Sequence, residues 1–203
     1  MCIRDRPKQP LRVFSSDGEL LGEFGEERRN LTPFAAIPKV MKDAVLAVED
    51  ARFYDHGGVD YKGFVRAAVA SLKGGRKQGA STITMQVARN VYLSSERTLS
   101  RKAYEILLSL RLEQQLTKDQ ILEIYMNQIY LGNRAYGFAA ASDAYFGKPL
   151  ANITIAEAAM LAGLPKAPGT NNPVANPRRA RARQLYVIDR MQETGFILSL
   201  IHI

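Results

Sequence analysis

Cysteine and histidine are nearly absent from this chain. The single Cys2 excludes a disulfide framework, and with only His56 and His202 there is no set of thiolate and imidazole ligands for a structural zinc site. No apolar run reaches the roughly 18 residues that span a bilayer. The N-terminus also lacks the apolar centre of a signal peptide, so any anchor is expected to lie upstream of the sequence in hand. Internal repeats and low-complexity tracts are missing as well, which removes solenoids and biased linkers from consideration. The terminal hexamers MCIRDR and LSLIHI match neither the turn chemistry nor the periodicity beside them, and read as non-native appendages. Cys2 and His202 fall inside them.

What remains is an ordinary folded composition. The 203 residues are 46% hydrophobic and 24% charged, which suits one domain with a real core. Residues 1–10 read as non-native or linker, 11–197 as the domain and 198–203 as a tail. Lys and Arg number 28 against 20 Asp and Glu, a net charge of +8, so a partner bearing negative charge is expected. Nucleic acid is disfavoured: Arg178, Arg179, Arg181 and Arg183 have no interleaved aromatics on which bases could stack. That cluster reads as a solvated face or an anionic-lipid contact.

The periodicity is mainly helical. Leu11 to Phe24 alternates around Ser16-Asp17-Gly18 and predicts a small hairpin. Pro38 opens a helix with a Met41, Val45 and Val48 stripe in a segment that Gly57-Gly58 ends, which leaves Glu49 and Asp50 late on it or just past it. Gly63 to Leu72 is apolar almost all round and runs into Lys73, Arg76 and Lys77, a membrane-surface pattern. Ser81 is read as the cap of a helix with Ile83, Val87 and Val91 on its apolar face and Thr82, Gln86 and Arg89 on another. Further helices are expected over Leu99 to Gln115, from a Thr117/Gln120 capping box to near Gly132, from a second box at Thr154/Glu157, and beyond Pro177.

Several features invite chemistry. Gly74 to Ser81 resembles a phosphate loop, but Ala80 stands where its Lys is required, so no nucleotide site follows. A basic segment feeding a helix start with Ser81, Thr82 and Thr84 is still a reasonable anion site, and equally a plain capped loop. Glu49 and Asp50 sit where a helix dipole disfavours negative charge, which suits a proton-transfer group or a merely solvated acid. Glu105, one turn beyond Arg101 and Lys102, fits a surface salt bridge or a site acid. His56 beside Gly57 and Gly58 fits a turn or a ligand contact. Paired carboxylates are tools of glycosyl chemistry, and abundant cations favour a transferase with a phosphate leaving group over a hydrolase.

Five ordered blocks then carry a specific resemblance: EDARFYDHGGVD (49–60), GASTITMQVARN (79–90), RKAYEILLSLRLEQQLTKDQILEIYMNQIYLG (101–132), RAYGFAAASDAYFGK (134–148) and AEAAMLAGLPKAP (156–168). Together they resemble the peptidoglycan glycosyltransferase domain of bifunctional class A penicillin-binding proteins. The resemblance implies a lysozyme-like, mainly α fold with a small N-terminal β-hairpin and a membrane-associated mobile segment. It also implies an enzyme on the outer face of the cytoplasmic membrane, anchored by a transmembrane helix absent from this sequence. Such an enzyme polymerises lipid II into β-1,4-linked glycan, releases undecaprenyl pyrophosphate, and works beside other wall-synthesis proteins.

On the same resemblance, Glu49 is the general base and Glu105 the second essential acid. Ser81, Thr82, Gln86, Arg89, Arg101 and Lys102 contact pyrophosphate or the adjoining sugar. Asp50, Phe53 and His56 shape the base, Glu123 and Asn127 support the site, and no cofactor is obligatory, with a divalent Mg or Mn ion an option near Asp50 and His56. Met85 departs from the family pattern, standing where many relatives carry Gln, and is not expected to make a polar contact. A lysozyme-like hydrolase and a non-catalytic membrane-binding module are the competing expectations.

Overall fold

In the computed structural model of the chain, residues 11–25, 27–63, 81–93 and 98–198 are described. The apolar run beyond Gly63, the Gly74 to Ala80 loop and the MCIRDR hexamer lie outside them, as does all of LSLIHI except Leu198.

The hairpin forms where alternation predicted it. Strand β1 (Leu11–Phe14) pairs antiparallel with β2 (Leu20–Phe24), Leu11 opposite Phe24, with an irregularity between Val13 and Phe14. Ser15 closes the turn, its hydroxyl accepting from the Glu19 N–H at 3.0 Å. Leu11, Val13, Phe14 and Leu21 are exposed, so the hairpin stands outside the core. A second pairing was not foreseen: β3 (Arg28–Arg29) runs parallel to β4 (Ala135–Tyr136). Two-residue strands carry too little alternation to be read from sequence.

The rest is helical. The described helices are α1 (Lys39–Glu49), α2 (Ile83–Tyr92), α3 (Leu99–Gln115), α4 (Lys118–Gln128), α5 (Phe138–Phe146), α6 (Ile155–Ala162) and α7 (Pro177–Glu193). Both predicted capping boxes are present: Thr117 accepts from the Gln120 N–H and Thr154 from the Glu157 N–H, with each side chain at the third position returning the bond. Three expectations shift. The N-cap of α2 is Thr82, not Ser81, because Thr82 Oγ1 takes the Met85 N–H at 3.2 Å. Helix α1 stops at Glu49, well before Gly57, and a short 3-10 turn over Phe53–Asp55 follows. Val91, assigned to the apolar stripe of α2, is exposed.

Two groups of helices share one contiguous core. Helix α1 packs on α6 and α7, burying Met41, Ala44 and Val45 completely, while α2 packs on α3 and α4 through Ile83, Val87, Ile121 and Leu122. Each such large side chain contributes roughly 1.5–3 kcal/mol of apolar burial. The groups meet where the C-terminus of α1 approaches the N-terminus of α2, and the candidate chemistry lies at that junction.

Helix α5 was not predicted from periodicity, because its Ala-rich stretch has little polar contrast. Glycines bracket it. Gly137 enters at φ 83°, and a Cβ there would lie 2.8 Å from the Asn127 carbonyl oxygen. Gly137→Ala is therefore expected to destabilise the fold by about 2–3 kcal/mol, combining the left-handed strain with the backbone clash. Urea unfolding of the variant checks this; a change below ~0.5 kcal/mol would contradict the clash.

Candidate active site

Glu49 is the last residue of α1 and is half-buried. Its Oε2 accepts from Gln86 Nε2 at 2.8 Å, so the polar face foreseen for α2 does meet the acid. Burial is the main influence on the carboxyl and raises its pKa above the ordinary 4.5; the Gln86 hydrogen bond and the charges of Arg183, Lys166 and Arg89 oppose that rise. The raised value foreseen from the helix dipole is thus present with a different leading cause, desolvation.

Asp50, next in the chain, does a different job. It is buried, and both its oxygens face His56 Nε2, at 2.9 and 3.0 Å. Its Oδ2 also accepts from the Ile83 N–H at 3.1 Å, one of the N-terminal amides of α2 that lack a partner within the helix. His56 therefore carries its proton on Nε2, while Nδ1 is buried with no hydrogen-bond partner among the described residues. Phe53 is buried, its ring edge-on to His56 with centroids 6.3 Å apart, and Lys118 Nζ lies 4.4 Å above the Phe53 ring.

This loop is bolted down from two further helices. Lys118 of α4 donates to the His56 carbonyl and, at 2.8 Å, to Glu113 Oε1 of α3, which also accepts the Thr84 hydroxyl. Thr82 donates to the Gly58 carbonyl at 2.6 Å while capping α2. Gly58 has φ 83°, and a Cβ there would crowd the Ser109 carbonyl at 3.0 Å.

A second acidic group stands on the other side of the α2 N-terminus. Glu105 is 1% exposed, which overturns the surface salt-bridge reading. Lys102 Nζ donates to Glu105 Oε1 at 2.8 Å and to Ser81 Oγ at 3.1 Å, with the Met85 sulfur 3.9 Å away. Met85 thus meets the ammonium through a weak acceptor. Arg101 is half-buried, and its Nε has no partner among the described residues. Glu123 and Asn127 lie elsewhere: Glu123 Oε2 accepts the Phe34 N–H at 2.7 Å, while Asn127 brackets the Thr32 backbone, accepting from its N–H at 2.8 Å and donating to its carbonyl at 2.9 Å. They fasten the segment leading into α1.

Two cations near Glu49 were not singled out as site residues from sequence. Lys166 follows α6, and Arg183 belongs to the arginine cluster of α7. Arg178, Arg179 and Arg181 are indeed exposed, but Arg183 is turned inward, its Nε buried and its Cγ where a Cβ on Gly163 would meet it at 2.8 Å. The helical period held the signal: Ala180, Arg183, Gln184, Val187 and Met191 share a face, and Ala180, Gln184, Val187 and Met191 are buried.

The arrangement joins a desolvated carboxylate, positioned by an amide, to cations on both sides of one helix start. It is suited to removing a proton from a hydroxyl while an anionic group departs. A cation is poorly served here. The oxygens of Asp50 already accept from His56 and an amide, and among the described residues no group of three or more His, Cys, Asp or Glu is placed to hold a metal ion.

Comparison with known proteins finds matches along most of the chain. A family model described as Transglycosylase matches residues 17–192. Penicillin-binding protein 1A of Neisseria flavescens is 56% identical over 193 residues, 95% of this chain and 24% of that protein. A shorter Cupriavidus necator protein bearing the transglycosylase name is 64% identical over 165 residues, 81% of this chain and 71% of its own length. The crystal structure of penicillin-binding protein 1A from Haemophilus influenzae matches with a TM-score of 0.54 at 31% identity, covering 95% of this chain and 19% of that one. The chain therefore spans about a quarter of the length of the Neisseria relative.

Because burial raises the Glu49 pKa, ionising this group opposes folding. The protonated form's advantage is complete below the unfolded value and is lost as pH rises through the folded one. Glu49→Gln should consequently melt higher than the parent at pH 7, with the gap closing toward pH 4. Thermal unfolding across that range checks it, and a lower melting temperature at pH 7 would contradict the assigned environment.

Proposed function

Because the chain belongs to the transglycosylase family, we propose that it is a peptidoglycan glycosyltransferase that polymerises lipid II into β-1,4-linked glycan with loss of undecaprenyl pyrophosphate. The observation carrying this reading is the desolvated Glu49 carboxylate, held by Gln86 at 2.8 Å and faced by Arg89, Lys166 and Arg183. Glu49 takes the proton of the acceptor sugar 4-hydroxyl as that oxygen attacks C1 of the lipid-linked strand, with inversion. The C1–O bond to pyrophosphate breaks, and its electron pair leaves on the phosphate.

A base with a raised pKa is a stronger base once deprotonated, which suits the step. Gln86 orients the carboxylate. Ser81 and Lys102 meet at the start of α2, with Arg101 next to Lys102 in the chain, and Arg89 stands in the last turn of that helix; the cations hold the pyrophosphate and take up its growing charge. The buried Thr82 hydroxyl, committed to the Gly58 carbonyl, serves as the cap of α2. Glu105 keeps Lys102 directed toward that space through the 2.8 Å contact. Asp50, Phe53 and His56 fix the base by fixing the loop that follows it, and Glu123 and Asn127 fix the approach to α1. No step requires a metal.

The membrane-bound substrate places the enzyme at the outer face of the cytoplasmic membrane, with lipid II, the lipid-linked strand and wall-synthesis proteins as its partners. Glu49→Gln is expected to abolish polymer formation from lipid II in a gel assay, by at least ~10²-fold, while the melting transition stays cooperative. Full activity in that variant would refute the assignment. Incubated with finished sacculi, the parent protein should release no muropeptides; their release would instead identify a hydrolase.

A further inference from the structure

Helix α4 carries one polar group that the mechanism leaves unused. Its polar side chains Glu123 and Asn127, one turn apart, are bound to the Phe34 and Thr32 backbone. Tyr125, two residues from each and so about 200° around the helix, points to the opposite side, where α4 packs on α2. The tyrosine is 1% exposed, and its hydroxyl has no hydrogen-bond partner among the described residues. A buried phenol O–H left unmade is uncommon and unfavourable, since tyrosines enclosed in a core normally find an acceptor. The charges acting on this phenol are those of Glu49 and Arg89, the proposed base and a cation of the α2 polar face. Arg89 offers only donors, so the acceptor of that pair is the Glu49 carboxylate.

We propose that Tyr125 is a positioning residue for Glu49, its O–H donating to the carboxylate oxygen that Gln86 leaves free, either on a small side-chain rotation or through one water. The proposal rests on the reading of Glu49 as base. Gln86 of α2 and Tyr125 of α4 then grip the carboxylate from two helices, and the acid cannot turn away from the acceptor hydroxyl. Burial and the neighbouring negative charge hold the phenol pKa well above its ordinary 10.0, so Tyr125 stays a neutral donor throughout the working range. A donor to the ionised carboxylate lowers the Glu49 pKa and thereby opposes the desolvation that raises it.

The near-isosteric Tyr125→Phe variant removes the O–H and keeps the ring. Rates of lipid II polymerisation measured against pH should show its acid limb moved to higher pH by at least about half a unit, with kcat down about tenfold and KM unchanged. An acid limb that stays where it is in the parent overturns the proposal. Thermal unfolding of the parent, Tyr125→Phe, Glu49→Gln and the double variant supplies a readout that needs no turnover. Non-additive melting shifts at pH 7 are expected, and additive shifts count against the contact. The two readings fail separately: an active Glu49→Gln enzyme removes the base itself, whereas an inactive one combined with an unmoved Tyr125→Phe profile removes only the role of Tyr125.

Discussion

The Asp50 carboxylate is the interaction on which this structure turns. It terminates α1, accepts the first free amide of α2 and holds His56, so one buried side chain joins two helix ends and a loop. Its charge is tolerable in the interior because it faces a helix N-terminus, where the backbone dipole favours negative charge, and because each oxygen has a donor. Glu49, one residue earlier, inherits its position from this joint.

The two glutamates differ by environment, though both are carboxylates beside cations. Glu105 is enclosed and paired directly with Lys102 at 2.8 Å. The lysine of this pair is 43% exposed, so the contact is partly screened by solvent and counts for less than a fully buried pair. Among the described residues Glu49 has no such contact pair: an amide holds it, and the nearby cations act through space. An acid neutralised by direct pairing organises charge, while one left desolvated can take a proton. The start of α2 lies between them, with Gln86 turned to one and Ser81 and Met85 to the other.

Much of this was legible without coordinates. Helix α3 occupies the predicted range, both capping boxes formed, and the hairpin turned where Asp17-Gly18 indicated. Such features arise within a few residues of chain and depend on local hydrogen bonds. Less legible were β3 and β4, too short for a pattern, and α5, whose alanines give no face. Arg183 was grouped with its exposed neighbours because a run of arginines looks uniform until the helical period is followed through to Val187 and Met191.

The amino-acid order alone determined the helical class, the acids at 49 and 105, the basic balance and the family blocks, since each is a matter of residue type and near-neighbour spacing. Only the tertiary structure decided that Glu105 is buried rather than solvated, that the charges of Lys166, beyond α6, and Arg183, on α7, act on Glu49, and that the Tyr125 hydroxyl is buried with no partner among the described residues. Burial and through-space charge depend on which distant helices pack together, and no local spacing contains that information.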